Sequence, residues 1–221
     1  MLKFLSLPFA IFAVSACSTQ PEPEHTVYKT LHIENDNSAS NLASSDEEFA
    51  KVIARRVAKR IADLPLGSYV SVRTFGDVNG DNNLRYKSQI TRKSNPAETV
   101  ARNVARYIVA NAQNDKPRQG KTEIISTLTW GEYNCSAGDE IILLSDGIPS
   151  GRVKSPLEVV NGEEALPEPE AGILSGCSVA IWSLGRTKEG NLSSVQIDNL
   201  RSAWEAWVVR AGGTFSAITN P

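Results

Sequence analysis

Histidine and cysteine are scarce in this chain, with two His and three Cys in 221 residues. The histidines, His25 and His32, cannot supply a three-histidine metal site. Three cysteines exclude a four-cysteine zinc site and a disulfide-dense scaffold. Charge of one sign is not in excess either. The 23 Lys+Arg stand against 25 Asp+Glu, for a net charge of −2, which argues against a nucleic-acid binder driven by bulk charge. The apolar run at the N-terminus is too short to span a bilayer. What remains is globular, with 41% apolar and 22% charged residues. The length suits one domain of ordinary size, or two small ones at a stretch.

Residues 1–16, MLKFLSLPFAIFAVSA, carry one Lys followed by the apolar run, as a secretory signal does. The run ends Val14-Ser15-Ala16-Cys17, which resembles the bacterial lipobox. The resemblance implies a lipid on Cys17, cleavage after Ala16 and acylation of the new amino group. Several acyl chains give a stable anchor, at about 0.8 kcal/mol per buried CH₂. Ser18 follows the Cys, and in a Gram-negative source that resembles the pattern sorted to the outer membrane. The alternative is an ordinary secretory signal with an incidental Cys. Residues 17–25 form a lipidated tether. Its polar part, 18–25, reaches about 25–30 Å when extended. Export leaves Cys135 and Cys177 in an oxidising compartment, where a disulfide between them is expected and a reactive thiol is the lesser alternative.

The mature chain alternates strands and helices. Strands are expected at 26–33, 69–75, 84–91, 140–145, 178–184 and 214–218, from β-branched content, alternation or short apolar runs. The pair 69–75 and 84–91, joined by DVNGDNN, reads as an antiparallel hairpin. Helices are expected at 47–63, 96–112, 122–130 and 193–211 from the spacing of their apolar residues. Ser44 or Ser45 is the expected cap of the first, and Val195, Trp204 and Trp207 are expected to face inward on the last. The stretch 147–176, with four prolines and several glycines, yields no firm helix. This pattern predicts an α/β fold. It is a Rossmann-like three-layer sandwich with a mostly parallel sheet, one antiparallel strand and helices on both faces. One domain is expected over 26–221.

Ligands in such sheets bind beyond the carboxyl ends of the strands. The loop after the first strand reads Asp36-Asn37-Ser38-Ala39-Ser40. Gly120-Lys121-Thr122 precedes the short helix, and Ser145-Asp146-Gly147 ends the strand at 140–145. Asp36, Ser38, Ser40, Thr122 and Asp146 all offer oxygen, which suits a hard cation: Mg²⁺ foremost, with Mn²⁺ or Ca²⁺ as alternatives. The three motifs in this order resemble the metal-ion-dependent adhesion site of the von Willebrand factor type A family. YVSVRTFGD at 69–77 resembles the family's second strand. The resemblance spans roughly residues 27–218. It implies that Ser38, Ser40 and, in the ligand-bound form, Thr122 bind the metal directly, with Asp36 and Asp146 usually acting through water. Neutral hydroxyls leave the cation's charge largely uncancelled, so its open position attracts a partner's Asp or Glu. In the family the strands after Cys135 and at Cys177 are parallel neighbours, which implies a structural disulfide at the sheet edge opposite the metal.

Three features depart from the family pattern. Glu34 and Asn35 stand where apolar strand residues are usual, predicting a strand that ends early or frays. Lys121 beside Thr122 either opposes the cation or helps hold an acidic ligand. The Pro/Gly-rich 147–176 replaces a regular helix and is placed to cover the site. Elsewhere the bland reading is the stronger one. DVNGDNN is a turn rather than a calcium loop. The basic face of Lys51, Arg55, Arg56, Lys59 and Arg60 is a solvated surface. His32 is a satisfied strand histidine.

The function expected is therefore that of a membrane-anchored binding module, not an enzyme. It engages a protein partner with an exposed Asp or Glu through the cation, in the cell envelope. In a Gram-negative source it faces the periplasm from the outer membrane. The alternative is a metal-independent structural subunit of an envelope, secretion or conjugation assembly. A metal-dependent phosphoesterase is the weakest reading, because no general base accompanies the motifs.

Overall fold

The structure, a computed structural model, describes residues 28–77, 83–113 and 119–221. The lipobox, Cys17 and His25 lie outside the described residues, as does most of the 77–83 turn. The elements run β1 (Thr30–Asp36), α1 (Leu42–Ser45), α2 (Glu47–Ala62), β2 (Tyr69–Phe75), β3 (Arg85–Gln89), α3 (Ala97–Ala112) and α4 (Ile124–Trp130). They continue β4 (Asp139–Leu144), α5 (Pro156–Asn161), β5 (Cys177–Trp182), β6 (Arg186–Thr187), β7 (Gly190–Asn191), α6 (Ser194–Arg210) and β8 (Thr214–Ile218).

Six strands form one sheet in the order β3-β2-β1-β4-β5-β8, while β6 and β7 make a separate hairpin. Only β3 runs antiparallel to its neighbour in the six-stranded sheet. Alternation along the strands divides the core in two. Leu31, Ile33, Val70, Val72, Ile142 and Leu144 face Ile53, Val57, Ile61, Val104 and Ile108 of α2 and α3. Ile141, Leu143, Val179 and Ile181 face Ile124, Leu128, Leu200, Trp204 and Val208 of α4 and α6. The result is the expected three-layer α/β sandwich.

Several local expectations change. β1 does not fray before Asp36. Glu34 is buried but pairs with Arg73, whose Nε donates to Glu34 at 2.8 Å. A second Arg73 nitrogen donates to the Gly131 carbonyl at 2.9 Å, and the guanidinium lies 4.6 Å from the Tyr133 ring centroid. A paired charge is tolerated where an isolated one is not. Asp46, not Ser44 or Ser45, caps α2, accepting from Phe49 N–H at 2.8 Å. The Pro/Gly-rich stretch holds the short α5, with Pro156 in its first turn and Ser155 as cap. Trp204 and Trp207 are buried as expected, whereas Val195 is exposed. His32 is buried and edge-on to Tyr133, yet neither ring nitrogen has a hydrogen-bond partner.

Cys135 and Cys177 form a disulfide with a Cα–Cα distance of 5.2 Å. Cys177 begins β5, paired with Asp139 at the start of β4. The bond therefore sits at the edge where these strands start, opposite the Asp36 and Asp146 loops. Among the described residues, no helix is long and apolar enough to cross a membrane.

Candidate cation site

The chain leaves β1 for β2 on one side, and β4 pairs on the other. The strand order thus reverses between β1 and β4, and the loops leaving their carboxyl ends splay apart. Crevices of this kind are where α/β sheets bind ligands. Asn41 spans the gap. Its side-chain amide donates to the Asp36 carbonyl at 2.7 Å and to the Leu144 carbonyl at 2.9 Å, tying the two strand ends together. Its oxygen accepts from Ala43 N–H in the first turn of α1. Ser44 also donates to the Asp36 carbonyl. Asn41 was not among the residues expected from the sequence. Its signal is an Asn directly before a short run of helix formers, the pattern of an N-cap.

Four of the five expected ligand residues meet here. Asp36 and Asp146 are each 0% exposed. One Asp36 oxygen accepts Ser38 N–H at 2.8 Å, and the other accepts the Ser145 hydroxyl at 2.6 Å. Ser38 and Ser40 hydroxyls lie 3.4 Å apart, and the Ser40 side chain acts to hold the Asp146 pKa down. One Asp146 oxygen accepts Ile148 N–H at 2.9 Å. The other, Oδ2, is buried with no partner. Burial, and then the neighbouring Asp146 charge, push the Asp36 carboxyl up to about 7. Burial first raises Asp146, to about 6, and the Glu189 carboxylate adds to the rise.

Thr122 is the fifth. It is buried, on a segment stitched to the other loops. Gln119 N–H donates to the Asn37 carbonyl at 3.1 Å, and Ala39 N–H to the Gln119 carbonyl at 3.0 Å. Thr122 N–H donates to the Ser150 hydroxyl, and Ser150 N–H returns to the Thr122 carbonyl at 3.1 Å. Among the described residues no hydrogen bond joins Thr122 to the other four. Its segment reaches the Asp36–Ser40 loop through the backbone of Gln119.

The Asp146 loop is braced from beneath. Trp204 Nε1 donates to the Gly147 carbonyl at 2.7 Å in the core. Gly147 has φ +77°, and a Cβ there would stand 2.5 Å from Leu184 Cδ1. Only glycine takes that turn without strain. The β6–β7 hairpin closes the side. Lys188 N–H donates to the Ser40 carbonyl at 2.8 Å, and Thr187 pairs with Asn41. Sequence patterning did not predict this hairpin, because two-residue strands carry no period.

An unpartnered, fully buried carboxylate oxygen is rare and costly. Here it lies beside a second buried carboxylate and two hydroxyls. Among the described residues no three His, Cys, Asp or Glu are grouped to hold a metal, so a cation here relies on hydroxyls as well as the two carboxylates. That all-oxygen set fits a hard divalent ion and not zinc in a sulfur site.

No family model and no curated protein matches the sequence. Similar solved structures include a von Willebrand factor type A structure from Catenulispora acidiphila. It is 17% identical, over 86% of this chain and 38% of that one, with a TM-score of 0.43. An aerotolerance-related membrane protein from Bacteroides fragilis is 14% identical over 87% of this chain and 92% of its own, at a TM-score of 0.42. The pilus adhesin SpaC from Lactobacillus rhamnosus GG is 14% identical over 89% of this chain and 29% of its own, at 0.47. This chain thus spans well under half of the first and third.

Proposed function

We propose that this protein is a membrane-anchored binding module that engages a protein partner through a divalent cation. Asp36, Ser38, Ser40, Thr122 and Asp146 hold the cation, Mg²⁺ foremost, with Mn²⁺ or Ca²⁺ as alternatives. The orphaned Asp146 Oδ2 carries this reading, since a buried acceptor with no donor is a position built for a ligand. When bound, the cation supplies Lewis acidity and an attraction for anionic oxygen. The chain's own residues do the rest. Asp36 is aimed by Ser38 N–H and Ser145, and Asp146 by Ile148 N–H and the Trp204-braced turn. The serine hydroxyls are neutral, so they leave positive charge for a partner's Asp or Glu carboxylate. Hydrolysis would need a general base beside the metal; the groups gathered here are two ligand carboxylates and hydroxyls, which favours binding over turnover.

The lipobox-like Val14–Cys17 supports a lipid anchor on Cys17 and a place in the cell envelope, on the periplasmic face of the outer membrane if the source is Gram-negative. Capture of partners from detergent-solubilised membranes tests the whole reading. A partner should be retained with Mg²⁺, released by EDTA and absent with Asp36→Ala. Retention indifferent to EDTA and to Asp36→Ala would favour a metal-independent structural subunit instead.

A further inference from the structure

The β6–β7 hairpin carries charge to the rim of the cation site. Its two strands pair Arg186 with Asn191 and Thr187 with Gly190, which leaves Lys188 and Glu189 at the tip, both exposed. The hairpin is not a loose loop. Thr187 Oγ1 donates to the Gly190 carbonyl at 2.7 Å. The Arg186 guanidinium lies 5.4 Å from the Phe49 ring centroid on α2. Gly185 N–H donates to the Asp146 carbonyl at 2.8 Å, and Lys188 N–H to the Ser40 carbonyl at 2.8 Å. The hairpin is therefore bonded through backbone to both loops that supply ligands, to the Asp146 loop at its base and to the Ser40 loop at its tip. Glu189 follows Lys188 at the tip, so its exposed carboxylate is carried beside the Ser40 loop. Asp146 Oδ2, buried and unpartnered, is the second sign that this corner is made for a cation.

We propose that Glu189 is a built-in tuning residue of the cation site: from the hairpin tip its carboxylate strengthens divalent-cation binding and competes with the carboxylate of an incoming partner. This rests on the cation reading above. A negative charge near the site lowers the free energy of a bound divalent ion. The same charge opposes a second anion arriving at the ion's open position. Because Glu189 is exposed, water screens both effects, and neither is expected to be all-or-none. Lys188, next in the chain, has the opposite sign and should act in the opposite direction.

The test compares wild type, Glu189→Gln and Lys188→Gln as purified protein, by Mn²⁺ calorimetry with and without excess acetate as the carboxylate probe. Glu189→Gln should weaken Mn²⁺ binding about threefold to tenfold, the scale of one screened charge. Acetate should strengthen Mn²⁺ binding more in Glu189→Gln than in wild type. Lys188→Gln should bind Mn²⁺ more tightly. Wild type and Glu189→Gln with equal Mn²⁺ affinity and equal acetate response would overturn the inference while leaving the cation site standing. Equal weakening by both variants would also overturn it, pointing to hairpin disturbance rather than charge. A wild type with no Mn²⁺ affinity in either condition would remove the cation reading itself, and this inference with it.

Discussion

Single side chains in this fold are held at the expense of stability. Asp36 keeps its carboxylate in the core beside Asp146, and burial raises its proton affinity. Asp36→Asn should therefore stabilise the metal-free protein by about 1–3 kcal/mol while abolishing cation binding, as thermal melts in EDTA and Mn²⁺ titrations will show. His32 has the opposite sign. Burial first, then Arg73, hold its pKa down at about 4, with Lys87 adding to the effect and Asp139 opposing it. The unfolded chain binds that proton from about pH 6.5. The stability of neutral His32 is thus fully present above pH 6.5 and lost as pH falls toward 4, by up to about 3 kcal/mol. His32→Phe keeps the ring against Tyr133 and removes two unpartnered nitrogens. The gap between variant and wild-type melting temperatures should widen from pH 7 to pH 4; a constant gap would contradict this. Residues at this scale were unevenly legible in the sequence. The strand-end positions of Asp36, Ser38, Ser40 and Asp146 could be read from the sequence, while their grouping as one cation site came from the family resemblance. Glu34 and His32 did not, because the partners that decide their state, Arg73 and Tyr133, come from distant segments.

At the scale of elements, the two-residue and three-and-a-half-residue periods carried most of the information. β2, α2, α3 and α6 follow from alternation and helical spacing, while the central strands β1, β4 and β5, buried on both faces, follow from short β-branched or apolar runs. The elements that escaped are the short ones. The β6–β7 hairpin is fixed by a long-range backbone bond, Lys188 N–H to the Ser40 carbonyl, which depends on the finished fold. Helices α1 and α5 are too short to show a period, and their local signals are the side-chain caps Asn41 and Ser155, which accept from Ala43 and Glu158 N–H. Helix α6 shows an element serving the site directly, since Trp204 supports the Gly147 carbonyl. Trp204→Phe deletes one buried donor and keeps most of the ring. It should cost about 1–3 kcal/mol of stability and weaken Mn²⁺ binding by loosening the Asp146 loop. Loss of stability with unchanged Mn²⁺ affinity would show that the brace does not reach the site.

The whole molecule separates its staple from its site. The Cys135–Cys177 bond joins segments 42 residues apart at the strand-start edge, while the acidic loops occupy the other. The chain-entropy model gives about 4 kcal/mol as the upper limit of its contribution. Replacing both cysteines by serine should lower the melting temperature and leave Mn²⁺ affinity unchanged. Two freely alkylatable thiols in exported protein prepared without reductant would contradict the bond. The mostly parallel sheet was readable from strands alternating with helices, whereas the adjacency of β4 and β5 that creates this separation came from the family resemblance and not from the pattern. The proposed function stands or falls with a divalent cation in the crevice between β1 and β4. Calorimetric titration of the purified protein with Mn²⁺, repeated with excess acetate or glutamate, tests it most directly. Saturable binding at one site is expected, lost with Asp36→Ala, whose metal-free melting temperature is unchanged or raised. No binding of Mg²⁺, Mn²⁺ or Ca²⁺ in the presence of the carboxylate, by a folded wild-type protein, would contradict it.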